Sequence, residues 1–267
     1  MSLIHPTAIV SPQAELGSDV EVGPYSIIGP NVQLGDRCKI HPHVVVDGHT
    51  TLGSDNEVFP FASLGAAPQD LKFKGEPSTL IVGTGNKIRE CVTLHPGTAK
   101  GTMSTVIGNN NLFMANCHVA HDCRVGSNNV FANSAALAGH VTVQDSVILG
   151  GLVGIHQFCR VGSFVILSAG AMVPYDVPPY CMGQGDRCYL RGINVIGLER
   201  AGMTKEEVAE IRRVYRLLFS TVGKLKEKIA AIPSELAAKP RVKYMLDFIG
   251  ASERGVMSPA KKLRTDS

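Results

Sequence analysis

The stretch that decides the fold of this chain runs from residue 119 to residue 143 and reads VAHDCRVGSNNVFANSAALAGHVTV. An aliphatic residue or Phe recurs in it at every sixth position, namely at Val119, Val125, Phe131, Leu137 and Val143. The fifth residue of a hexad is usually small or β-branched, as Ala135 and Val141 are. This pattern is the signature of a β-helix, in which each hexad supplies one short strand and one corner of a solenoid.

The same six-residue spacing extends over most of the chain. It covers residues 4–64, resumes over 82–94 and continues over 107–173, so that 26 hexads all begin with an apolar residue. Three hexads complete one triangular coil of 18 residues, and stacked coils bury an apolar ladder that no single repeat could bury alone. We therefore predict an all-β solenoid, a parallel β-helix, over residues 1–190. The breaks in the spacing predict inserted loops at 66–81 and 100–106.

The apolar spacing changes from six to a helical period near residue 204. Thr204 and Glu207 form a predicted capping box. Apolar residues then recur at spacings of three and four over residues 208–229, which predicts one amphipathic helix. The later predicted elements are the end of that helix at Pro233, a short turn over 234–238 and a last helix over 241–249. Residues 191–267 should thus form a C-terminal α-helical domain, with a flexible tail from about residue 251.

The composition excludes several classes of protein. The 26 basic and 23 acidic residues give a net charge of +3, which is too balanced for a nucleic-acid-binding protein. The seven cysteines are odd in number and contain no CxxC pair, which argues against a disulfide framework. The repeat begins at Ile4 without a leader pattern, and no apolar run approaches the ~18 residues that span a bilayer. We therefore expect a cytoplasmic protein without stable membrane insertion and without a nucleic-acid partner.

Histidines gather on one edge of the predicted solenoid. If both insertions leave from a corner, the hexads that begin at residues 46, 64, 94, 119, 137 and 155 share one face. That face or its corner then carries His49, His95, His121, His140, His156 and Gln157, with His118 just before it. The longer insertion leaves from the same place and carries Gln69, Asp70, Leu71 and Lys72. His121, Gly139 and Gln157 are 18 residues apart and should stack on successive coils, which marks this edge as a candidate active site.

Three chemistries are compatible with such a cluster. Catalytic zinc sites often use three histidines, but the trimeric β-helix carbonic anhydrases use a His-x4-His pair, whereas this chain offers His118-x-x-His121. Covalent catalysis would use Cys123, although its hexad position points it into the core. General-base catalysis would use His121, because an imidazole accepts a proton at neutral pH.

In the general-base alternative, three residues form the predicted catalytic group. His121 would remove the proton of a substrate hydroxyl while that oxygen attacks an activated acyl group. Asp122, next in sequence, would orient the ring or stabilise its charge. Gly139, one coil further along, has no side chain, so that its N–H could approach a developing oxyanion closely.

Several segments around this edge resemble one known family. The segments NCHVAHDC at 116–123, LAGHV at 137–141, IHQFC at 155–159 and QDLK at 69–72 resemble the UDP-N-acetylglucosamine 3-O-acyltransferases, and GHT at 48–50, DVPPY at 176–180 and GIN at 192–194 continue the resemblance. The resemblance implies that the β-helix is left-handed and forms a homotrimer with active sites between subunits. It also implies transfer of a 3-hydroxyacyl chain from acyl carrier protein to the glucosamine 3-hydroxyl of UDP-N-acetylglucosamine, the first step of lipid A synthesis, with no metal and no cofactor.

The resemblance also implies roles for individual residues. His121 resembles the family's general base, Asp122 its partner and Gly139 the oxyanion donor. Substrate contacts are implied for Gln69, Asp70, Lys72, His118, His140, His156, Gln157, Asn194 and Arg200, of which the last two lie towards the nucleotide and His156 towards the uridine or the acyl donor. Ala169 stands where the family limits acyl-chain length, and its intermediate size leaves that length open. Ala201 departs from the second basic residue that often follows the position of Arg200, which leaves phosphate and carrier contacts there open.

Two functions from other classes stay open at the level of sequence. A zinc hydratase of the carbonic anhydrase type would require stoichiometric zinc. A non-catalytic β-helix scaffold would carry the histidines without using them, yet a scaffold has no need to break its ladder with a loop that bears Asp70 and Lys72. A sister enzyme that N-acylates the 3-O-acylated sugar shares the β-helix but normally has an extra N-terminal domain, whereas the coils here begin at Ile4.

Overall fold

The solenoid forms the larger part of the structure. The computed structural model describes residues 2–260. Its strands, β1 to β28 in chain order, are Leu3–Ile4, Ile9–Val10, Glu15–Leu16, Glu21–Val22, Ile27–Ile28, Val32–Leu34, Lys39–Ile40, Val45–Val46, His49–Leu52, Glu57–Val58, Ser63–Leu64, Thr79–Val82, Lys87–Ile88, Thr93–Leu94, Ser104–Ile107, Leu112–Phe113, His118–Val119, Arg124–Val125, Val130–Phe131, Ala136–Leu137, Thr142–Val143, Ile148–Leu149, Gly154–Ile155, Arg160–Val161, Ile166–Leu167, Met172–Val173, Cys181–Gln184 and Tyr189–Ile193. Most are two residues long, because each hexad has room for one short strand and one turn.

The strands stack into three sheets that form the faces of a prism. The first sheet has the order β1-β4-β7-β10-β13-β16-β19-β22-β25-β27-β28, the second β2-β5-β8-β11-β14-β17-β20-β23-β26 and the third β3-β6-β9-β12-β15-β18-β21-β24. Where no insertion intervenes, paired residues are 18 positions apart, as Val119 and Leu137 are. Among the described strands, only β27 and β28 pair antiparallel. The predicted fold class, a left-handed parallel β-helix followed by helices, is confirmed.

The first residue of each hexad points into the prism and forms its core. Val119, Leu137 and Leu149 are fully buried. Phe113 and Phe131 contact each other on neighbouring coils, with ring centroids 4.7 Å apart. Burial of one such side chain contributes about 1.5–3 kcal/mol, so the repeated ladder accounts for the hydrophobic stabilisation of the coils.

One corner of the prism, between the third and first sheets, encloses a ladder of buried asparagines. Asn86 Nδ2 donates to Asn56 Oδ1 over 3.0 Å, and Asn111 Nδ2 donates to Asn86 Oδ1 over 2.9 Å. Asn129 extends the ladder, because its backbone N–H donates to Asn111 Oδ1 over 2.9 Å. All four side chains are buried. Buried amides require such partners, so the ladder helps to fix how one coil lies above the next.

Two insertions break the hexads, each between a strand of the second sheet and the next strand of the third. The predicted ranges, 66–81 and 100–106, are too long at their C-terminal ends, because β12 begins at Thr79 and β15 begins at Ser104. Thr79 pairs with His49 below it and with Ser104 above it. These pairs lengthen the third sheet beside the insertions, an extension that the six-residue period does not encode.

Five helices follow the solenoid within the described residues: Val195–Arg200 (α1), Lys205–Phe219 (α2), Leu225–Ala230 (α3), Ser234–Ala237 (α4) and Pro240–Gly250 (α5). The predicted capping box of Thr204 and Glu207 is present at the start of α2. The single helix predicted over 208–229 is in fact two helices. The break contains Gly223 at a φ of 124°, a conformation that favours glycine, and Val222, which is fully exposed. None of the described helices is long and apolar enough to cross a membrane.

The segment after α5 packs against the upper end of the solenoid. The Asp176 N–H donates to Gly255 O over 3.0 Å, and the Met257 N–H donates to Asp176 O over 2.8 Å. Ser252 Oγ donates to Asp176 Oδ2 over 2.9 Å, and the Met257 side chain is buried. Residues 251–260, where we predicted the start of a flexible tail, are therefore held by hydrogen bonds. The rest of that predicted tail, 261–267, lies outside the described residues, as does residue 1.

Candidate active site

The corner between the second and third sheets carries a stacked column of polar residues. In this site corner, defined as the turns that follow β17, β20 and β23, His121 lies one coil below Gly139, which lies one coil below Gln157. Backbone bonds join the turns, from the His140 N–H to His121 O over 3.0 Å and from the Phe158 N–H to Gly139 O over 3.2 Å. The column that the 18-residue spacing predicts is present.

His121 and Asp122 form a buried hydrogen-bonded pair in the lowest of these turns. His121 Nδ1 lies 2.9 Å from Asp122 Oδ2. Asp122 has a left-handed φ of 60°, and this tight turn places its carboxylate beside the imidazole of the preceding residue. Their residue exposures are 9% and 3%. Because the carboxylate accepts hydrogen bonds, we assign the imidazole proton to Nδ1, which leaves Nε2 to accept a proton.

Asp122 is held as an anion by its surroundings. Burial alone would raise the pKa of its carboxyl group, but hydrogen bonds from His121, Thr98 and Thr102 outweigh burial and hold that pKa below its usual range. The negative charge is therefore present at neutral pH. A carboxylate in this position stabilises an imidazolium on His121.

Gly139 packs directly against the ring of His121. A Cβ built on Gly139 would lie 2.5 Å from His121 Cε1 and 2.7 Å from its Nε2. Any residue other than glycine at this position would displace the imidazole. The Gly139 N–H donates to no other described residue, so that it is available to a ligand beside the proton-accepting edge of His121.

Three further histidines surround this pair. The His140 ring stacks on Phe158 with centroids 4.4 Å apart and meets the His121 ring edge-on at 5.1 Å. The His118 Nδ1 lies 2.7 Å from Thr93 Oγ1. Burial lowers the pKa of both rings, and electrostatic repulsion from His121 lowers it further. The charges of Asp122 and of Asp70, in the first insertion, act in the opposite direction on the pKa of His140. Both imidazoles are therefore neutral at pH 7 and act as hydrogen-bonding groups.

His95 lies one coil below and is the most deeply buried of these histidines. Its ring meets that of His118 edge-on at 5.0 Å, and only 4% of the residue is exposed. Burial, with the charges of His118 and His121, lowers the pKa of His95 to about 4. Its Nδ1 is buried without a hydrogen-bond partner among residues 2–260. The sequence placed His95 on this face but gave it no role.

The first insertion brings one predicted residue towards the cluster. Asp70 is partly buried, accepts a bond from the Lys72 N–H over 3.0 Å and acts electrostatically on His140. Gln69 and Lys72 are exposed on the same loop. The loop therefore presents an acid to the site and an amide and a cation to solvent.

The other predicted contact residues lie higher on the molecule. His156 and Gln157 are exposed at the top of the site corner. Asn194 caps α1, because its Oδ1 accepts from the Gly197 N–H, while its Nδ2 donates to Phe164 O. Arg200 is exposed at the end of α1. Ala169 is exposed in the turn between β25 and β26. These residues make no hydrogen bond to the His121–Asp122 pair within the described part of the chain.

A cleft of about 890 Å³ opens beside the site corner. Its floor is the outer surface of the second sheet and includes Ala136, Gly154 and Met172. Its other walls are residues 186–188 of the turn between β27 and β28, Tyr189 at the start of β28, and residues 256–258 of the C-terminal segment. His118 and His156 lie at its edge. The cleft is largely apolar and adjoins Ala138, the neighbour of Gly139, so it suits an apolar chain whose reactive end lies near His121.

Sequence reasoning missed two residues that touch the His121–Asp122 pair. Thr98 Oγ1 donates to Asp122 Oδ2 over 2.7 Å, and the Thr102 N–H donates to Asp122 Oδ1 over 2.7 Å. Both threonines lie in the second insertion, which in the structure is the loop of residues 95–103 between β14 and β15. The available signal was the insertion itself, because it interrupts the ladder one coil below His121.

Cys123, the alternative nucleophile, is unsuited to that role. It is fully buried, and its Sγ contacts Ala138 O at 3.2 Å. Burial raises the pKa of its thiol to about 12. The reactive thiolate is therefore scarce at neutral pH, as the inward hexad position predicted.

A metal site was the other alternative. The ligand atoms of His121, Asp122 and His140 lie within 4.8 Å of one another, the group among the described residues that could hold an ion. However, Asp122 Oδ2 already accepts from His121 and Thr98. A cation would have to displace those bonds, so the donor set fits a hydrogen-bonded pair better than a metal centre.

Comparisons with known proteins assign the class and then the family. A model of bacterial transferase hexapeptide repeats matches residues 13–48 and 104–139, so the solenoid is that of a hexapeptide-repeat transferase. A model described as UDP N-acetylglucosamine O-acyltransferase, domain 2, matches residues 176–257.

Full-length relatives carry the same name. The acyl-[acyl-carrier-protein]–UDP-N-acetylglucosamine O-acyltransferase of Myxococcus xanthus is 51% identical over 256 residues, which cover 96% of this chain and 99% of that protein. The structure of LpxA from Acinetobacter baumannii matches with a TM-score of 0.93 at 44% identity, covering 96% of this chain and 100% of that one. The UDP-N-acetylglucosamine acyltransferase of Francisella novicida matches with a TM-score of 0.93 at 37% identity, covering 97% and 95%. The chain belongs to the acyl-[acyl-carrier-protein]–UDP-N-acetylglucosamine O-acyltransferase family and is an acyltransferase.

Proposed function

We propose that this chain transfers a 3-hydroxyacyl chain from acyl carrier protein to the glucosamine 3-hydroxyl of UDP-N-acetylglucosamine, the first step of lipid A synthesis. Membership of the family supports the substrates. The observation that carries the mechanism is the buried His121–Asp122 pair, with the free N–H of Gly139 against its ring. Transfer is direct, from thioester to hydroxyl, without an acylated enzyme.

His121 is the general base. Its Nε2 takes the proton of the sugar 3-hydroxyl as that oxygen attacks the thioester carbonyl carbon. Asp122 holds the Nδ1 proton and stabilises the imidazolium that forms. When the tetrahedral intermediate collapses, the C–S bond breaks and the proton on Nε2 passes to the leaving thiolate. The products are the 3-O-acyl sugar nucleotide and the free carrier thiol, and His121 is neutral again.

Gly139 stabilises the oxyanion of that intermediate. This role is supported by the close approach of Gly139 to the His121 ring and by its N–H, which has no hydrogen-bond partner among the described residues. A preorganised N–H at the developing negative charge contributes about 10²–10³ in rate. Gly139 therefore has two roles: it lets the backbone approach the His121 ring closely, and its N–H donates to the oxyanion.

The remaining predicted residues position the substrates. Neutral His118 and His140, with Asp70 opposite, offer hydrogen bonds to sugar hydroxyls, and Gln69, His156 and Gln157 extend that polar surface. Lys72 and Arg200 are exposed cations, which suit a diphosphate. Asn194 stays a proposed nucleotide contact, although both ends of its side chain already bond to the protein. The apolar cleft suits the acyl chain, with Ala169 as the proposed determinant of chain length.

We further propose a cytoplasmic homotrimer with its sites between subunits. Large apolar side chains on the outside of the prism support an interface, since Ile9 is 66% exposed and Ile27 is 41% exposed on the second sheet, and Leu152 is 64% exposed at its edge. All seven cysteines are free, which supports a reducing compartment. An active monomer in sedimentation would contradict shared sites.

One assay tests the proposed function. The purified protein is incubated with UDP-N-acetylglucosamine and a panel of 3-hydroxyacyl carrier proteins, and the product is analysed for a 3-O-acyl group. The wild type should form that product with the donor whose chain length fits.

His121→Ala should lose about 10²–10⁴ in rate while its melting temperature stays close to that of wild type, because a corner residue adds little to the core. Near-normal turnover by folded His121→Ala would contradict the mechanism, and stoichiometric bound zinc would favour the hydratase.

A further inference from the structure

The second insertion, residues 95–103, encloses the carboxylate of Asp122. Thr98 donates to it twice, from its N–H to Oδ1 over 3.2 Å and from its Oγ1 to Oδ2 over 2.7 Å. The Thr102 N–H adds a third bond, to Oδ1 over 2.7 Å. With His121 Nδ1 at 2.9 Å from Oδ2, each oxygen of the carboxylate has two donors. Asp122 has no free orientation left.

Gly101 closes this enclosure from a third side. A Cβ built on Gly101 would lie 2.2 Å from Asp122 Cγ and Oδ2, so the backbone of the insertion lies flat against the carboxylate. The turn itself is held by the Gly101 N–H, which donates to Thr98 O over 3.0 Å. The insertion thus shields Asp122 from water, and the Asp122 side chain is completely buried.

The two insertions are also tied to each other. Glu76 of the first insertion accepts from the Ala99 N–H over 2.7 Å through Oε1 and from the Lys74 N–H over 2.8 Å through Oε2. The loop that presents Asp70 is therefore joined to the loop that holds Asp122. The two loops that position Asp122 and Asp70 are therefore held together by Glu76.

We infer that the second insertion is a positioning element for the general base, with Thr98 as its principal positioning residue. Thr98 donates its hydrogen bonds to Asp122 and none to His121, so it acts through Asp122, whose orientation it fixes. The inference rests on the proposed function, because it assigns the insertion to the work of His121. It explains why the solenoid departs from its period one coil below the catalytic turn.

Thr98 has the only side chain of the insertion that is fully committed to the carboxylate. The Thr102 hydroxyl has one proton and two acceptors, Ser104 O at 2.8 Å and Asp122 Oδ1 at 3.3 Å, and the shorter bond favours Ser104. The Thr98 hydroxyl is 2.7 Å from Oδ2, the same oxygen that accepts from His121. Removing this hydroxyl leaves Asp122 Oδ2 with a single donor, His121 Nδ1, so that the carboxylate can turn about its bond to Cβ while it stays in contact with the imidazole.

The charge on Asp122 links the insertion to the pH dependence of catalysis. The charged or titratable groups that face the pair are His140, whose Nε2 lies 3.9 Å from Asp122 Oδ2, together with His118, His95 and Asp70. When a donor to Asp122 is lost, its negative charge is less neutralised and favours imidazolium on His121 more strongly. The acidic limb of the pH profile should therefore move to higher pH.

Thr98→Val is the decisive variant, with two companions. Thr98→Ser keeps the hydroxyl and should restore the rate. Thr105→Val is the matched control: Thr105 follows the same insertion in β15, is fully buried, and its Oγ1 has no hydrogen-bond partner among residues 2–260. All three proteins are compared with wild type as intact assemblies, by melting temperature, by kcat and KM for UDP-N-acetylglucosamine, and by the pH profile of kcat/KM.

We expect Thr98→Val to lower kcat about tenfold to a hundredfold, the change in rate that corresponds to losing one hydrogen bond to a charged group. Its KM should stay close to that of wild type, and the acidic limb should move to higher pH. Thr98→Ser should recover most of the rate, and Thr105→Val should match wild type. Unchanged kcat in Thr98→Val, an equal loss in Thr105→Val, or a loss that Thr98→Ser does not recover would each overturn the inference.

A second readout separates this inference from the assay. In protein with isotopically labelled histidine, the titration of the His121 ring can be followed by NMR without any substrate. Thr98→Val should raise the midpoint of that titration, and Thr105→Val should not. If the wild type forms no acylated product, the proposed function fails, but the His121 titration still decides whether Thr98 positions the pair. An unchanged midpoint in Thr98→Val would refute the coupling.

Discussion

The corner between the second and third sheets carries different residues in the lower and the upper coils of the solenoid. In the lower coils, the residues that follow β2 and β5 at the position of His121 are Pro12 and Pro30. In the upper coils that position holds His121, Gly139 and Gln157. The strand register is the same in both regions, since Val10 pairs with Ile28 as Val119 pairs with Leu137. The interior ladder fixes the backbone, which leaves the corner side chains free to carry chemistry.

The insertions lie between these two regions. They leave the same corner after β11 and β14, above Pro12 and Pro30 and below the turn that carries His121. The lower coils thus supply control positions. Each substitution in the upper part of the corner can be compared with a substitution at the equivalent position below. A substitution that is harmless below and damaging above identifies function rather than folding.

The largest contrast is expected for Gly139→Ala against Pro30→Ala. The new Cβ would fall 2.5 Å from His121 Cε1, so the imidazole must move and the oxyanion donor is obstructed. Activity should fall about a hundredfold or more, with little change in melting temperature. Pro30→Ala, at the equivalent position two residues after β5, should keep wild-type turnover in the same acyl-transfer assay. Comparable losses in both variants would mean that the corner serves stability rather than catalysis.

The next contrast concerns a buried and an exposed histidine, His95 and His49. The pKa of His95 in the folded protein is about 4, below the ordinary 6.5 of an unfolded chain. As the pH falls below 6.5, the unfolded chain takes up a proton that the folded protein refuses, so stability is lost across that window. Replacing His95 by Phe removes this loss.

Urea unfolding at pH 7 and pH 5 measures the effect. The decrease in unfolding free energy between these pH values should be smaller by about 2 kcal/mol in His95→Phe than in wild type. His49→Phe, at an exposed position of the lower corner, should show the wild-type decrease. Equal decreases in all three proteins would show that His95 is not protected from protonation.

The smallest contrast compares two ring stacks on opposite halves of the solenoid. Phe158 stacks on His140 with centroids 4.4 Å apart, and Phe61 stacks on His43 with centroids 5.2 Å apart. Such contacts contribute about 0.5–1.5 kcal/mol. Phe158→Leu should therefore raise KM for UDP-N-acetylglucosamine about two- to tenfold, because His140 loses its support, whereas Phe61→Leu should leave KM unchanged. Steady-state kinetics of the pair would reject a role for His140 in binding if both values stay at wild type.

The sequence predicts the parts of this molecule that obey a local period. The hexads predict the solenoid, and the 18-residue spacing predicts that His121 and Gly139 meet across a coil, because stacking converts sequence distance into spatial distance. The capping box at Thr204 is likewise a contact between residues three apart. These features depend on near neighbours or on a regular repeat.

The features that sequence missed depend on contacts without a period. Thr98 reaches Asp122 only because the second insertion folds back over the next coil. Residues 251–260 are held by backbone bonds to Asp176, a partner about 80 positions earlier in the chain. The helix breaks at Gly223 because of the backbone conformation of that residue. The apolar spacing over residues 208–229 continues through the break and so does not indicate it. No pattern of residue types reports such pairings.

The asparagine ladder has a consequence for how the chain finds its register. Its successive partners are 30, 25 and 18 residues apart, so two of its three steps cross the insertions. Every hexad resembles every other, and a chain that miscounted one of them after a loop would still bury its apolar residues. It would, however, break the hydrogen bonds that join the buried side chains of Asn56, Asn86 and Asn111, and each amide left unpaired would cost about 1–3 kcal/mol. The ladder lets a self-similar chain distinguish the correct alignment of its coils from the near-identical wrong ones, at the two places where counting alone would fail.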